Sequence, residues 1–81
     1  MDIDPDSPVP VYRQLAADLR SRIARGEFAP GRPIPSEVTL RQSYGVGRDT
    51  VRHAVEVLRE EGIVFTVAHK GTYVTQPELG G

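Results

Sequence analysis

Residues 35–62, PSEVTLRQSYGVGRDTVRHAVEVLREEG, constrain this chain more than any other stretch, because they specify two helices joined by a tight glycine-containing turn. Val51, Ala54, Val55 and Leu58 recur at three- and four-residue spacing, the core-facing stripe of an amphipathic helix. At about 100° per residue, Arg48, Arg52 and Arg59 fall within about 40° of one another on the side away from that stripe. One face is expected to bury and another to present guanidinium groups. Leu40 and Tyr44 give the preceding helix an i, i+4 apolar pair, and Gly45 supplies the residue on which a helix commonly terminates. A short helix, a turn of about three or four residues and a longer helix with arginines at its start is the helix-turn-helix arrangement.

The chain has 81 residues and no cysteine. That length allows one domain with a small core, burying about 60% of its unfolded surface. Without cysteine, neither a disulfide framework nor a thiolate zinc site props up the fold, which fits a reducing compartment. No apolar run approaches the roughly 20 residues needed to span a bilayer, and MDIDPDSPVP is acidic and proline-rich rather than a targeting signal. The expectation is a soluble, cytoplasmic protein with no membrane partner. A net charge of −1 argues against nucleic acid if taken as a sum. Its distribution argues otherwise: Asp2, Asp4 and Asp6 crowd the start, Glu60 and Glu61 the far end of the long helix, and Arg48 and Arg52 its beginning.

Residues 1–10, with three prolines and no periodicity, predict an extended or disordered arm, and QPELGG at 76–81 a frayed tail; the folded domain is expected over 11–75. From Val11, the apolar positions Tyr12, Leu15, Ala16, Leu19 and Ile23 mark one helix face, with Arg13, Asp18, Arg20 and Arg22 outside and Gly26 as terminator. EFAPGRPIP cannot continue a helix and reads as a structured loop that turns Phe28 and Ile34 inward. Ser36 stands at an N-cap position, and its helix start, with free N–H groups, also suits a phosphate. Gly47 is the expected cap of the second helix of the pair. Arg52 and Glu56 stand at i, i+4, so a surface ion pair competes with any external role for Arg52.

After Gly62 the periodicity changes to two. IVFTV and TYVT alternate and are rich in β-branched residues, with AHKG as the turn between them, so residues 63–75 predict a β-hairpin. Three helices followed by a hairpin make a mainly α fold with a small β-hairpin, the winged helix-turn-helix. Lys70 and Gly71 at the hairpin tip suit a cation and a bare backbone approaching a phosphate or minor groove; a tip lysine is also often simply solvated.

With these residues in place, the sequence resembles the DNA-binding domain of the GntR family of bacterial transcriptional regulators. The likeness runs over residues 10–74 through PVYRQLAADLRSRI, PGRPIPSEVTL, YGVGRDTVRHAVEVLREEG and GTYV. It implies operator binding as symmetric pairs, with the recognition helix in the major groove and the wing tip in the minor groove. Arg48, Thr50 and Arg52 match family positions that contact DNA, Ser36 a helix start on phosphate, and Gly71 and Thr72 the wing tip. Three positions depart from the pattern. Val38 stands where arginine is usual, Gly47 where serine or threonine is usual, and His69 at the first glycine of the wing's glycine-x-glycine. Family members carry a large C-terminal effector-binding and dimerising domain that has no counterpart in this sequence. A stand-alone and a truncated regulator both fit, and a homodimer that forms only on DNA is one route to pairing.

The expected function is sequence-specific binding of double-stranded operator DNA, with repression of transcription. The recognition helix covers about residues 47–61 and the wing about 68–72. The candidate contacts are Ser36, Gly47, Arg48, Asp49, Thr50, Arg52, His53, His69, Lys70, Gly71 and Thr72. Arg48 and Arg52 can each offer parallel donors to guanine O6 and N7 or to phosphate, and Thr50 a donor to phosphate. Asp49 either accepts from cytosine N4 or complements the helix dipole. The alternative is a winged helix that binds protein instead of DNA. An enzyme fits worst: no carboxylate pair stands at catalytic spacing and no nucleophile beside a base. His53 and His69 read as solvated or as DNA contacts, and no cofactor or metal is expected.

Overall fold

The computed structural model describes residues 3–76. The elements follow in the order α1 (Val11–Ala24), α2 (Glu37–Tyr44), α3 (Arg48–Glu60), β1 (Val64–Val67) and β2 (Gly71–Val74). The expected three helices and hairpin are all present, as a winged helix. The expected tail at 76–81 lies, but for Gln76, outside the described residues.

The core forms where the apolar stripes meet. Leu15, Ala16 and Leu19 of α1, Leu40 of α2, and Val51, Ala54 and Leu58 of α3 are buried together, closed below by Ile34, Val64 and Val74. α1 lies across α3, and α2 packs on α3 from the other side of the turn. The turn itself is set by Gly45, which takes the left-handed conformation (φ 65°, ψ 37°) and returns its N–H to Arg41 O. Ser36 caps α2 as expected, accepting from the Thr39 N–H at 3.2 Å.

β1 and β2 pair antiparallel with Phe65 opposite Tyr73 and Thr66 opposite Thr72. The loop read from EFAPGRPIP does more than connect helices. Ile34 N–H donates to Thr72 O, Val74 N–H to Arg32 O and Gly31 N–H to Val74 O, so residues 31–34 run along the free edge of β2. Covering that edge satisfies backbone groups that a two-stranded ribbon leaves open.

Three sequence expectations differ from what is observed. Asp18 was placed on the outer face of α1 but is only 8% exposed. Tyr44 donates to its carboxylate, and Arg22 in turn donates to the Tyr44 hydroxyl at 2.9 Å. Helical periodicity puts Asp18 beside Leu15 and Leu19, and only the tyrosine from α2 makes its burial tolerable. Residues 3–10, expected as a free arm, fold back on α1. Gln14 ties them down, accepting from the Asp4 N–H and donating to Asp4 O and Val9 O, all at 2.8 Å. Tyr12, expected on the core face, is half-buried and stacks on His53.

Candidate nucleic-acid interface

α3 displays its polar side because most of its stripe is engaged: Val51, Ala54 and Leu58 are at most 1% exposed, and Val55 is half-buried against the core. Arg48, Arg52 and Arg59 remain on the exposed surface, as the spacing predicts. They differ in what they touch. Arg52 Nε lies 3.1 Å from Glu37 Oε1, so α2 supplies its partner and not Glu56, as the i, i+4 spacing had suggested. Arg59 Nη1 donates to Thr66 Oγ1 at 2.9 Å, linking the end of α3 to the wing. Arg48 makes no ion pair or side-chain hydrogen bond with any described residue, and it stands in the first turn of α3, where N–H groups point outward.

Gly47 precedes it with φ −80° and ψ 169°, an extended N-cap geometry, and offers no side-chain acceptor to the first-turn N–H groups. Asp49, beside Arg48, is exposed and lies in the first turn, where a carboxylate complements the helix dipole. Thr50 is half-buried.

A groove runs between the start of α2, the outer face of α3 and the inner face of the wing. Ser36, Arg52, Lys70, Gly71 and Thr72 line it together, over an apolar floor that includes Ile34, Leu40, Val51 and Val55. Glu37, Glu56 and Arg59 stand in the same walls. Gly47, Arg48, Asp49, Thr50 and His53 lie outside it. His53 has turned toward α1, its ring stacked on Tyr12 at 3.6 Å and 8° between planes, with the Arg13 guanidinium 5.4 Å from the same tyrosine ring. His69 is at the wing tip with φ 64°, the non-glycine positive φ among the described residues. Lys70 is exposed beside it and closes the turn with N–H to Val67 O at 3.0 Å.

Sequence reasoning missed Glu37 as the partner of Arg52 and Thr66 as the partner of Arg59. Both pairings cross between elements, and no local spacing reports them. Among the described residues, no group of three or more His, Cys, Asp or Glu side chains is placed to hold a metal, and no helix is long and apolar enough to cross a membrane.

The arrangement has known counterparts. Residues 11–74 match the family described as bacterial regulatory proteins, gntR family. The chain belongs to the GntR family. It is 37% identical over 79 residues to the HTH-type transcriptional repressor NagR of Bacillus subtilis, covering 98% of this chain and 32% of NagR. It is 45% identical over 70 residues to the mannosyl-D-glycerate transport/metabolism system repressor MngR of Escherichia coli, covering 86% of this chain and 29% of MngR. This GntR-family chain thus spans about a third of the length of the curated relatives it matches. Among solved structures, the AraR DNA-binding domain in complex with operator ORX1 superposes with a TM-score of 0.84 at 34% identity, covering 93% of each chain. The same domain with operator ORE1 gives 0.82 at 33% identity, covering 89% of this chain and 88% of that one.

Proposed function

We propose that this chain is the sequence-specific double-stranded DNA-binding part of a transcriptional regulator, acting as a repressor by occupying an operator. The observation that carries the reading is Arg48: an exposed guanidinium with no ion pair or side-chain hydrogen bond to any described residue, at the start of a helix that buries Val51, Ala54 and Leu58 in the core. Its likeness to domains solved on operator DNA, and to relatives named as repressors, supports the same assignment.

In this reading the N-terminal half of α3 enters the major groove. Arg48 reads a base edge, Asp49 tunes the choice of base, and Thr50 and the start of α2 at Ser36 meet phosphate. Arg52, aimed by Glu37, offers its terminal nitrogens alongside. Lys70, Gly71 and Thr72 bring the wing to the minor groove, with His69 at its tip. Gly47 lets the backbone approach closely, and His53 serves by bracing α3 against α1. The regulator works in the cytoplasm at the nucleoid, and two copies meet on half-sites about 34 Å apart.

The test is titration of Arg48→Ala and Lys70→Ala against a duplex selected from a random pool and against a scrambled one. Arg48→Ala is expected to cost about 1–3 kcal/mol on the selected duplex and far less on the scrambled one, while Lys70→Ala weakens both alike. Equal losses for Arg48→Ala on the two duplexes would rule out base reading by that residue.

A further inference from the structure

We propose that Arg59 is a wing-positioning residue, holding the hairpin at the angle to α3 from which its tip reaches DNA; this rests on the DNA-binding reading above. Arg59 stands in the last turn of α3 and donates to Thr66 Oγ1 at 2.9 Å. Thr66 Oγ1 lies 3.2 Å from Thr72 Oγ1 directly across the ladder, so the guanidinium holds β1 at mid-wing and the hydroxyl pair passes that hold to β2.

The wing needs such a grip. Val64 and Val74 anchor its base in the core, and residues 31–34 hold the outer edge of β2 as far as Thr72, whereas β1 has no strand on its own outer edge among the described residues. On the opposite face, Phe65 is 44% exposed and stacks only on Tyr73. A two-stranded ribbon is marginal by itself and twists readily. Lys70 lies in the turn just beyond the Val67–Gly71 rung, about 7 Å along the wing from Thr66 at about 3.3 Å per residue. A tilt of about 20° at that hinge would move the tip by about 2 Å, enough to break a hydrogen bond to phosphate.

Arg59 could instead touch a phosphate itself, and the two roles separate cleanly. Thr66→Val removes the hydroxyl but no charge and keeps a β-branched residue in the strand. Binding to the selected duplex is followed by fluorescence anisotropy from low to high salt for the wild type, Thr66→Val, Thr66→Ser, Arg59→Gln, Lys70→Ala and the Thr66→Val/Lys70→Ala pair, with melting curves for each.

Expected are a loss of about 3- to 10-fold for Thr66→Val, a log K against log salt slope shallower by about 0.9, and recovery in Thr66→Ser. A shallower slope from a charge-neutral change is the signature of a tip lysine displaced from its phosphate. Lys70→Ala should then cost little more in the Thr66→Val background. Should Thr66→Val melt early, an Arg59→Gln/Lys70→Ala pair decides instead: losses that do not add support positioning, and losses that add make Arg59 an independent phosphate contact. Wild-type binding and slope in folded Thr66→Val, with a reduced slope only in Arg59→Gln, would make Arg59 a direct phosphate contact and overturn the proposal. Independent losses for Thr66→Val and Lys70→Ala would overturn it too. A wild-type chain whose binding ignores salt would instead defeat the DNA-binding reading on which both stand.

Discussion

His69 holds a left-handed backbone (φ 64°) at the wing tip, where an L side chain is disfavoured and the family pattern has glycine. Three residues link Val67 to Gly71, and the Lys70 N–H returns to Val67 O, so His69 is the third residue of that turn, the position that takes positive φ in type II and type I′ turns. His69→Gly is therefore expected to stabilise the domain by about 0.5–1 kcal/mol, the relieved strain less the added freedom of the unfolded chain, as read by urea denaturation. Tyr44 presents the reverse case. Burial raises its pKa above the usual tyrosine value, the hydrogen bond to Asp18 adds to the shift, and Arg22 opposes it. The fold thus favours the neutral hydroxyl. Its contribution is complete below the unfolded value of about 10 and is lost as pH rises through the raised folded value. Tyr44→Phe leaves the Asp18 carboxylate without that donor and should cost about 1–3 kcal/mol at neutral pH. The variant's stability should also fall less between pH 9 and pH 11 than the wild type's, on the same denaturation curves, the endpoints bracketing a value of about 10.

At the scale of elements, periodicity made most of the fold legible. The stripes of α1 and α3, the serine before α2, the glycine after it and the period-two run after Gly62 each have a local cause, and each appears where expected. What stayed hidden crosses between elements. Asp18 is polar by composition and buried only because α2 delivers Tyr44 to it. Residues 3–10 lack periodicity, yet one glutamine side chain binds them to α1. The groove could not be foreseen as a surface, since Ser36, Arg52 and Lys70 belong to three elements. The exposed row of arginines was legible, whereas the tethers on Arg52 and Arg59 were not. One local departure does have a local consequence. α3 begins at Gly47, which caps with backbone alone, in an extended geometry any residue adopts, and a Cβ there meets nothing within 4 Å. Gly47→Ser should add a capping oxygen worth a few tenths of a kcal/mol, which for a domain of this size raises the melting temperature by about 1–3 °C.

For the molecule as a whole, the sum of charges conceals how they are paired. With 11 acidic against 10 basic side chains, the net charge is −1. Several of the acids are occupied inside the fold: Glu61 with Arg20, Glu27 with Arg22 and Arg25, Glu37 with Arg52. Among the described residues Arg48 and Lys70, at the start of α3 and at the wing tip, have no such partner, and neither do the exposed Arg59 at the end of α3 and Arg13, Arg32 and Arg41 elsewhere on the surface. Asp49, Glu56 and Glu60 fall within about 40° of one another on α3, beside the arginine row. A phosphate backbone is thus attracted by one row on α3 and repelled by the row beside it, which penalises any docking that is out of register. About four phosphate contacts per copy are expected, so log K should fall against log salt with a slope near −3.6 for one bound copy, at about −0.9 per contact. Glu56→Gln, which removes repulsion without adding a contact, should tighten binding to a scrambled duplex more than to the selected one and leave the slope nearly unchanged. A steeper slope in that variant would mean that Glu56 had been screening a cation from DNA, and not repelling the backbone itself.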